Sequence, residues 1–181
     1  MSDRAGEGTV VIGLGSPLMG DDGLGLAALE DLREGWVFEP YVEFLDGGTW
    51  GMNLLPFIGM ADRLLLLDAI DAGLEPGSLV TLEREELPRF LATKISPHQI
   101  DLREVLALAE LTGRLPAETV ALGLQPSRVE MSAELSPEIG EAMPRLVNSA
   151  IARLEAWGHR RRPVEENRTC VGSFPTAVSG Q

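Results

Sequence analysis

The stretch TVVIGLGSPLMGDDGLG, residues 9–25, decides the reading of the fold. It opens on a continuous apolar run, Thr9 to Leu14, with no alternation of apolar and polar residues. That is the pattern of a strand buried on both faces, as in a parallel sheet covered by helices. A glycine-rich loop follows, and Leu26, Leu29 and Leu32 then recur at i+3 spacing, which predicts a helix over about Asp22 to Arg33. A doubly buried strand running into an amphipathic helix is the opening of a layered α/β fold.

Outward from that stretch the same alternation repeats. Tyr41 to Leu45, Arg63 to Asp68, Ser78 to Leu82 and Thr119 to Leu124 read as further strands, several of them again as unbroken apolar runs. A second helix is predicted from Ser96-Pro97-His98-Gln99, where Ser fits the N-cap, Pro the first turn, and Gln the reciprocal position of a capping box. Leu102, Val105, Leu106 and Ala109 continue it, and Gly113 ends it. A last helix runs to about Trp157 with Leu146, Val147, Ala150, Ile151 and Leu154 inward, and Pro144 either kinks it or marks its start. The expected class is α/β with a largely parallel sheet.

A chain of 181 residues suits one domain. We place it at residues 1–157, followed by a polar, flexible tail over 158–181, whose removal should matter little. The balance of 15 Lys+Arg against 28 Asp+Glu opposes binding to nucleic acid and to anionic membranes. A single cysteine, Cys170, excludes an intramolecular disulfide framework and multi-cysteine metal sites. The polar start MSDRAGEG and the lack of long apolar stretches point to a cytoplasmic protein without a membrane segment.

In open α/β sheets sites lie beyond the carboxyl ends of the strands, and here the residues at those ends are acidic. Asp21 and Asp22 follow the first run, Asp46 ends the second in LDGGTWG, and Asp68 ends the third in LLLLDAID. Gly13 and Gly15 hint at a dinucleotide loop, but Leu18 breaks the spacing, and the two aspartates would repel a phosphate. His98, in the first turn of its helix, faces the positive end of the dipole, which favours a neutral ring able to bind a metal or polarise a carbonyl. Two carboxylates and one imidazole suit a divalent transition ion. Each residue also has a plainer reading. Asp21 or Asp22 can cap the first helix, Asp46 with Gly47 and Gly48 can form a tight turn with positive φ, and His98 can be structural. Asp68, directly after four leucines, needs a partner in any case. Ser16 lacks a nucleophile-elbow context, so serine-protease chemistry is not indicated.

GLGSPLMGDDGLG, LDGGTWGMNLL, LLLLDAID and KISPHQIDLREVLALAELTG, in this order, resemble the [NiFe]-hydrogenase maturation proteases over about Val10 to Trp157. These endopeptidases remove a C-terminal extension from the hydrogenase large-subunit precursor after nickel insertion. The resemblance implies a three-layer α/β/α fold with a central, mostly parallel five-stranded sheet. It also implies a catalytic, metal-binding trio of Asp22, Asp68 and His98, with nickel supplied by the precursor. Asp46, Gly47, Gly48 and Thr49 would contribute to substrate recognition. Ser16 stands where the family often has Asn, and Asp22 where some members have the longer Glu. A non-catalytic, nickel-dependent chaperone of the same precursor is the alternative, and a nucleotide-binding domain a third reading.

Overall fold

A computed structural model describes residues 8–48, 51–87 and 100–164. Its central sheet joins β1 (Thr9–Gly13), β3 (Val42–Asp46), β4 (Arg63–Ala69), β5 (Leu79–Glu83) and β6 (Glu118–Leu124) in the order β3-β1-β4-β6-β5. All neighbours pair in parallel except β5, which runs antiparallel to β6 along one edge. The five strands expected from the apolar runs are these five, with ends shifted by one residue at most.

Period-2 alternation along each strand divides the core into two layers. Val11, Leu65, Leu67, Val120, Leu122 and Leu124 face α1 (Leu24–Gly35) and the helix Pro137–Ala156. Ile12, Leu64, Leu66 and Ala121 face α2 (Leu55–Met60) and α3 (Ile100–Leu111). The helix Pro137–Ala156, here α4, thus shares its face with α1. Leu64 to Leu67 have no exposed surface, which is why this strand reads as an uninterrupted apolar run. The result is the expected three-layer α/β/α arrangement. Among the described residues no helix is long and apolar enough to cross a membrane.

The helix ends follow local chemistry. Gly113 adopts φ +65 and the N–H of Arg114 donates to Ala109 O, so α3 stops at the glycine that the pattern marked. Its start in SPHQ lies outside the described residues. Pro144 neither starts α4 nor interrupts it: the helix begins at Pro137, a first-turn proline, and continues past Pro144. Pro144 leaves the Gly140 carbonyl without an intrahelical donor, and both residues lie on the exposed face, where water can serve instead.

One expectation is corrected. The tail was to begin at Gly158, but Arg160–Pro163 form a strand, β7, antiparallel to β2 (Trp36–Glu39). His159 is 4% exposed; Nδ1 lies 2.8 Å from Pro40 O and Nε2 2.8 Å from Thr9 Oγ1. Because a carbonyl only accepts, Nδ1 carries the hydrogen, and in the neutral ring Nε2 accepts from the Thr9 hydroxyl. Arg161 sits 4.4 Å over the Trp36 ring and pairs with Glu155 at 3.1 Å. A strand reading RRRP has no apolar alternation, so periodicity missed it; backbone pairing, one buried imidazole and a stacked guanidinium hold it instead. Ending the chain at Gly158, or replacing His159 by Ala, should therefore destabilise the fold, the substitution by about 1–3 kcal/mol. Urea unfolding measures this, and an unchanged midpoint in both variants would contradict it.

Candidate active site

The chain leaves β1 through α1 on one face toward β3, and leaves β4 in the other direction, toward the edge strand β5 and then β6. β1 and β4 are neighbours whose connections diverge, the switch point at which open α/β sheets form their binding crevice, above the carboxyl ends of the strands. Both of the aspartates singled out for the centre of the site lie there.

Asp22 belongs to the 3-10 turn Gly20–Gly23, which packs against β4 and leads into α1. After β1 the chain bends at Gly15, where φ is +104 and a Cβ would lie 1.7 Å from the Asp22 carbonyl oxygen. Only glycine allows that approach. The bend turns the Ser16 N–H onto Asp22 Oδ2 at 2.8 Å, closing a seven-residue loop on the carboxylate that follows it. Leu14 N donates to Leu67 O at 2.9 Å, which ties the loop to β4 one residue before Asp68. Asp22 is 3% exposed.

Asp68 has no exposed surface. Alternation assigns it to the face of Leu64 and Leu66, where α2 and α3 pack. Its Oδ1 accepts the Ala69 N–H at 2.7 Å, which holds the carboxylate at the strand end. Its register partner in β6 is Gly123, where a Cβ would meet Asp68 O at 2.1 Å.

Asp46 pairs in register with Gly13 on the other side of β1. It is exposed, and its Oδ1 accepts the Gly48 N–H at 2.9 Å, an Asx turn. The turn reading therefore holds, but without the positive φ expected at Gly47 or Gly48. Both glycines serve close packing instead. Gly47 N donates to Gly13 O at 2.8 Å, and Cβ atoms would meet Ile12 and Leu14 side chains at Gly47 and Gly15 O at Gly48. The β3 loop is thereby pressed onto the β1 loop beside the crevice. Thr49 and His98 lie outside the described residues; His98 precedes Ile100, the first residue of α3, by two positions. Among the described residues no group of three or more His, Cys, Asp or Glu side chains is gathered to hold a metal ion.

The family model HycI, described as hydrogenase maturation protease, matches residues 26–153, well over half of the chain. The chain belongs to the hydrogenase maturation protease family. The protease is 40% identical over 154 residues to the hydrogenase expression/formation protein HoxM of Cupriavidus necator, covering 82% of this chain and 75% of that one. It is 34% identical over 157 residues to the hydrogenase 2 maturation protease of Escherichia coli, covering 86% and 96%. Its fold matches that of the hydrogenase maturating endopeptidase HybD from E. coli with a TM-score of 0.81 at 33% identity, over 87% of this chain and 98% of that one.

The maturation protease separates two aspartates that look alike in sequence. Whereas Asp22 bonds the β1 loop, Asp21 turns into the body and accepts from Ser127 N, Arg128 N, Ser136 N and Ser136 Oγ. Of the two cap readings neither holds as written: α1 has Gly23 at its N-cap position and no side-chain cap. Sequence reasoning also missed Gln125, at the end of β6. Its Oε1 accepts from Ala72 N and Leu74 N, and its Nε2 donates to Asp71 Oδ1, so one buried amide fastens the loop after β4 to that after β6. The available signal was its place: a polar residue directly after the apolar run Val120 to Leu124, as Asp68 is after its leucines.

Proposed function

We propose that this maturation protease removes a C-terminal extension from the large-subunit precursor of a [NiFe]-hydrogenase once nickel is in place, and that Asp22, Asp68 and His98 meet the nickel carried by that substrate. The observation that supports this most is that two buried carboxylates, Asp22 in the turn that packs against β4 and Asp68 at the end of β4, both lie at the carboxyl edge of the adjacent strands β1 and β4. Carboxylate oxygens with an imidazole nitrogen make a donor set suited to a divalent transition ion. The ion arrives with the precursor, and a chain of net charge −13 favours the approach of a cationic site over a polyanionic one.

Peptide hydrolysis delivers water oxygen to the scissile carbonyl carbon and a proton to the leaving nitrogen. A carboxylate at the crevice can take the water proton and return it to the amine, so the acid–base work falls to Asp22 or Asp68. Bound nickel would polarise the carbonyl or the water. The loop from Asp46 to Thr49, beside the β1 loop, would guide the precursor chain. Incubation of the purified protein with nickel-loaded precursor, followed by intact-mass analysis, tests the reading. Loss of one C-terminal peptide is expected. Stable binding with no change in precursor mass would instead make the protein a chaperone.

A further inference from the structure

We infer that Asp21 is a positioning residue, which acts on the reaction through Asp22 by locking the turn they share to the loop Ser127–Ser136 and to the start of α4. The inference rests on the reading of Asp22 as a residue of the active site.

The side chain of Asp21 has no exposed surface, and its carboxylate accepts four hydrogen bonds from neutral donors: Ser127 N at 2.8 Å, Arg128 N at 2.9 Å, Ser136 N at 2.6 Å and Ser136 Oγ at 2.9 Å. Four donors converging on two oxygens require a group that only accepts. An amide of the same shape has one accepting oxygen and would set its NH2 against an N–H. Ser136 occupies the N-cap position of α4 yet makes no side-chain cap to its own helix. Its hydroxyl donates to Asp21 instead, and the carboxylate stands at the positive end of a 20-residue helix.

Backbone bonds complete the lock. Gly20 N donates to Ser132 O, Asp21 N to Arg128 O, and Ser132 N to Leu18 O. The turn Gly20–Gly23, GDDG, is four residues long with glycine at both ends, so it has little stiffness of its own. One side chain fixes it to α4 and the next, Asp22, is aimed at the β1 loop through Ser16 N. Rotating the turn about its anchor would displace Asp22, and misplacement of a reacting group by about 1 Å can cost on the order of 100-fold in rate.

The test is steady-state cleavage of nickel-loaded precursor by Asp21→Asn, alongside Asp22→Asn, with thermal melts to establish the folded fraction. For Asp21→Asn we expect kcat per folded molecule to fall about 10- to 100-fold while KM stays within about threefold. A residue that served stability alone would lower the melting temperature and leave kcat per folded molecule unchanged, and that result overturns the inference. Should Asp21→Asn not fold, Ser136→Ala removes one donor of the four and is expected to lower kcat about two- to fivefold; an unchanged kcat there overturns it equally. If Asp22→Asn cleaves at the wild-type rate, the reading beneath fails and the inference with it. An inactive Asp22→Asn beside an unimpaired Asp21→Asn refutes the positioning role only.

Discussion

Asp68→Asn is expected to give a folded protein that no longer trims the precursor, with a rate loss of about 10²- to 10⁴-fold. The substitution keeps shape and volume, and the amide oxygen can still accept the Ala69 N–H that Oδ1 accepts now. What it removes is the second carboxylate oxygen, which on the proposed reading serves as a ligand for the cation or as the base for water. Because Asp68 ends a strand whose leucines are packed on both faces, the backbone beneath it has no freedom to compensate. His98→Ala should be as severe, since it removes the one nitrogen of the proposed trio. Cleavage assays with circular dichroism of each variant measure this, and a folded Asp68→Asn that cleaves at the wild-type rate would remove Asp68 from the mechanism.

A large loss of stability is expected from Gly25→Ala. A Cβ there would stand 2.2 Å from Leu67 O and 2.6 Å from Leu14 O, both backbone atoms of the paired strand ends. Neither can yield without separating β1 from β4, so α1 would have to lift from the sheet. We expect a cost of about 3 kcal/mol or more, read as a lower urea midpoint or as insoluble protein. Gly35→Ala, at the end of the same helix, is the control: a Cβ there meets nothing within 4 Å, and its stability should match or exceed that of the wild type. Equal stability of both variants would mean that α1 does not press on the switch point.

Much of this architecture is legible in the sequence, for a physical reason. A strand buried on both faces must be apolar at every position, so runs such as Leu64 to Leu67 declare themselves and their first polar neighbour marks the carboxyl edge. Asp68 stands out in that way, whereas Asp22 is singled out from Asp21 only by the resemblance of its loop to the family. The β2–β7 pair does not stand out, because Arg160 to Pro163 are all exposed and carry no apolar periodicity, while the contacts that dock them, His159 with Thr9 and Pro40, span more than a hundred residues. The same limit hid the difference between Asp21 and Asp22. Adjacent, identical side chains in one turn are told apart only by what folds against them, and the partners of Asp21 lie 106 to 115 positions away. Gly47 and Gly48 read as turn glycines but serve close packing, since what matters there is the approach of the β1 loop, which no local pattern records.

The central claim is that cleavage waits for nickel. Its most direct measurement is a side-by-side incubation of the protein with nickel-loaded and nickel-free large-subunit precursor, with intact masses followed over time. The account predicts that the nickel-loaded precursor loses its C-terminal peptide while the nickel-free precursor keeps its full mass. Trimming of both at the same rate would contradict it.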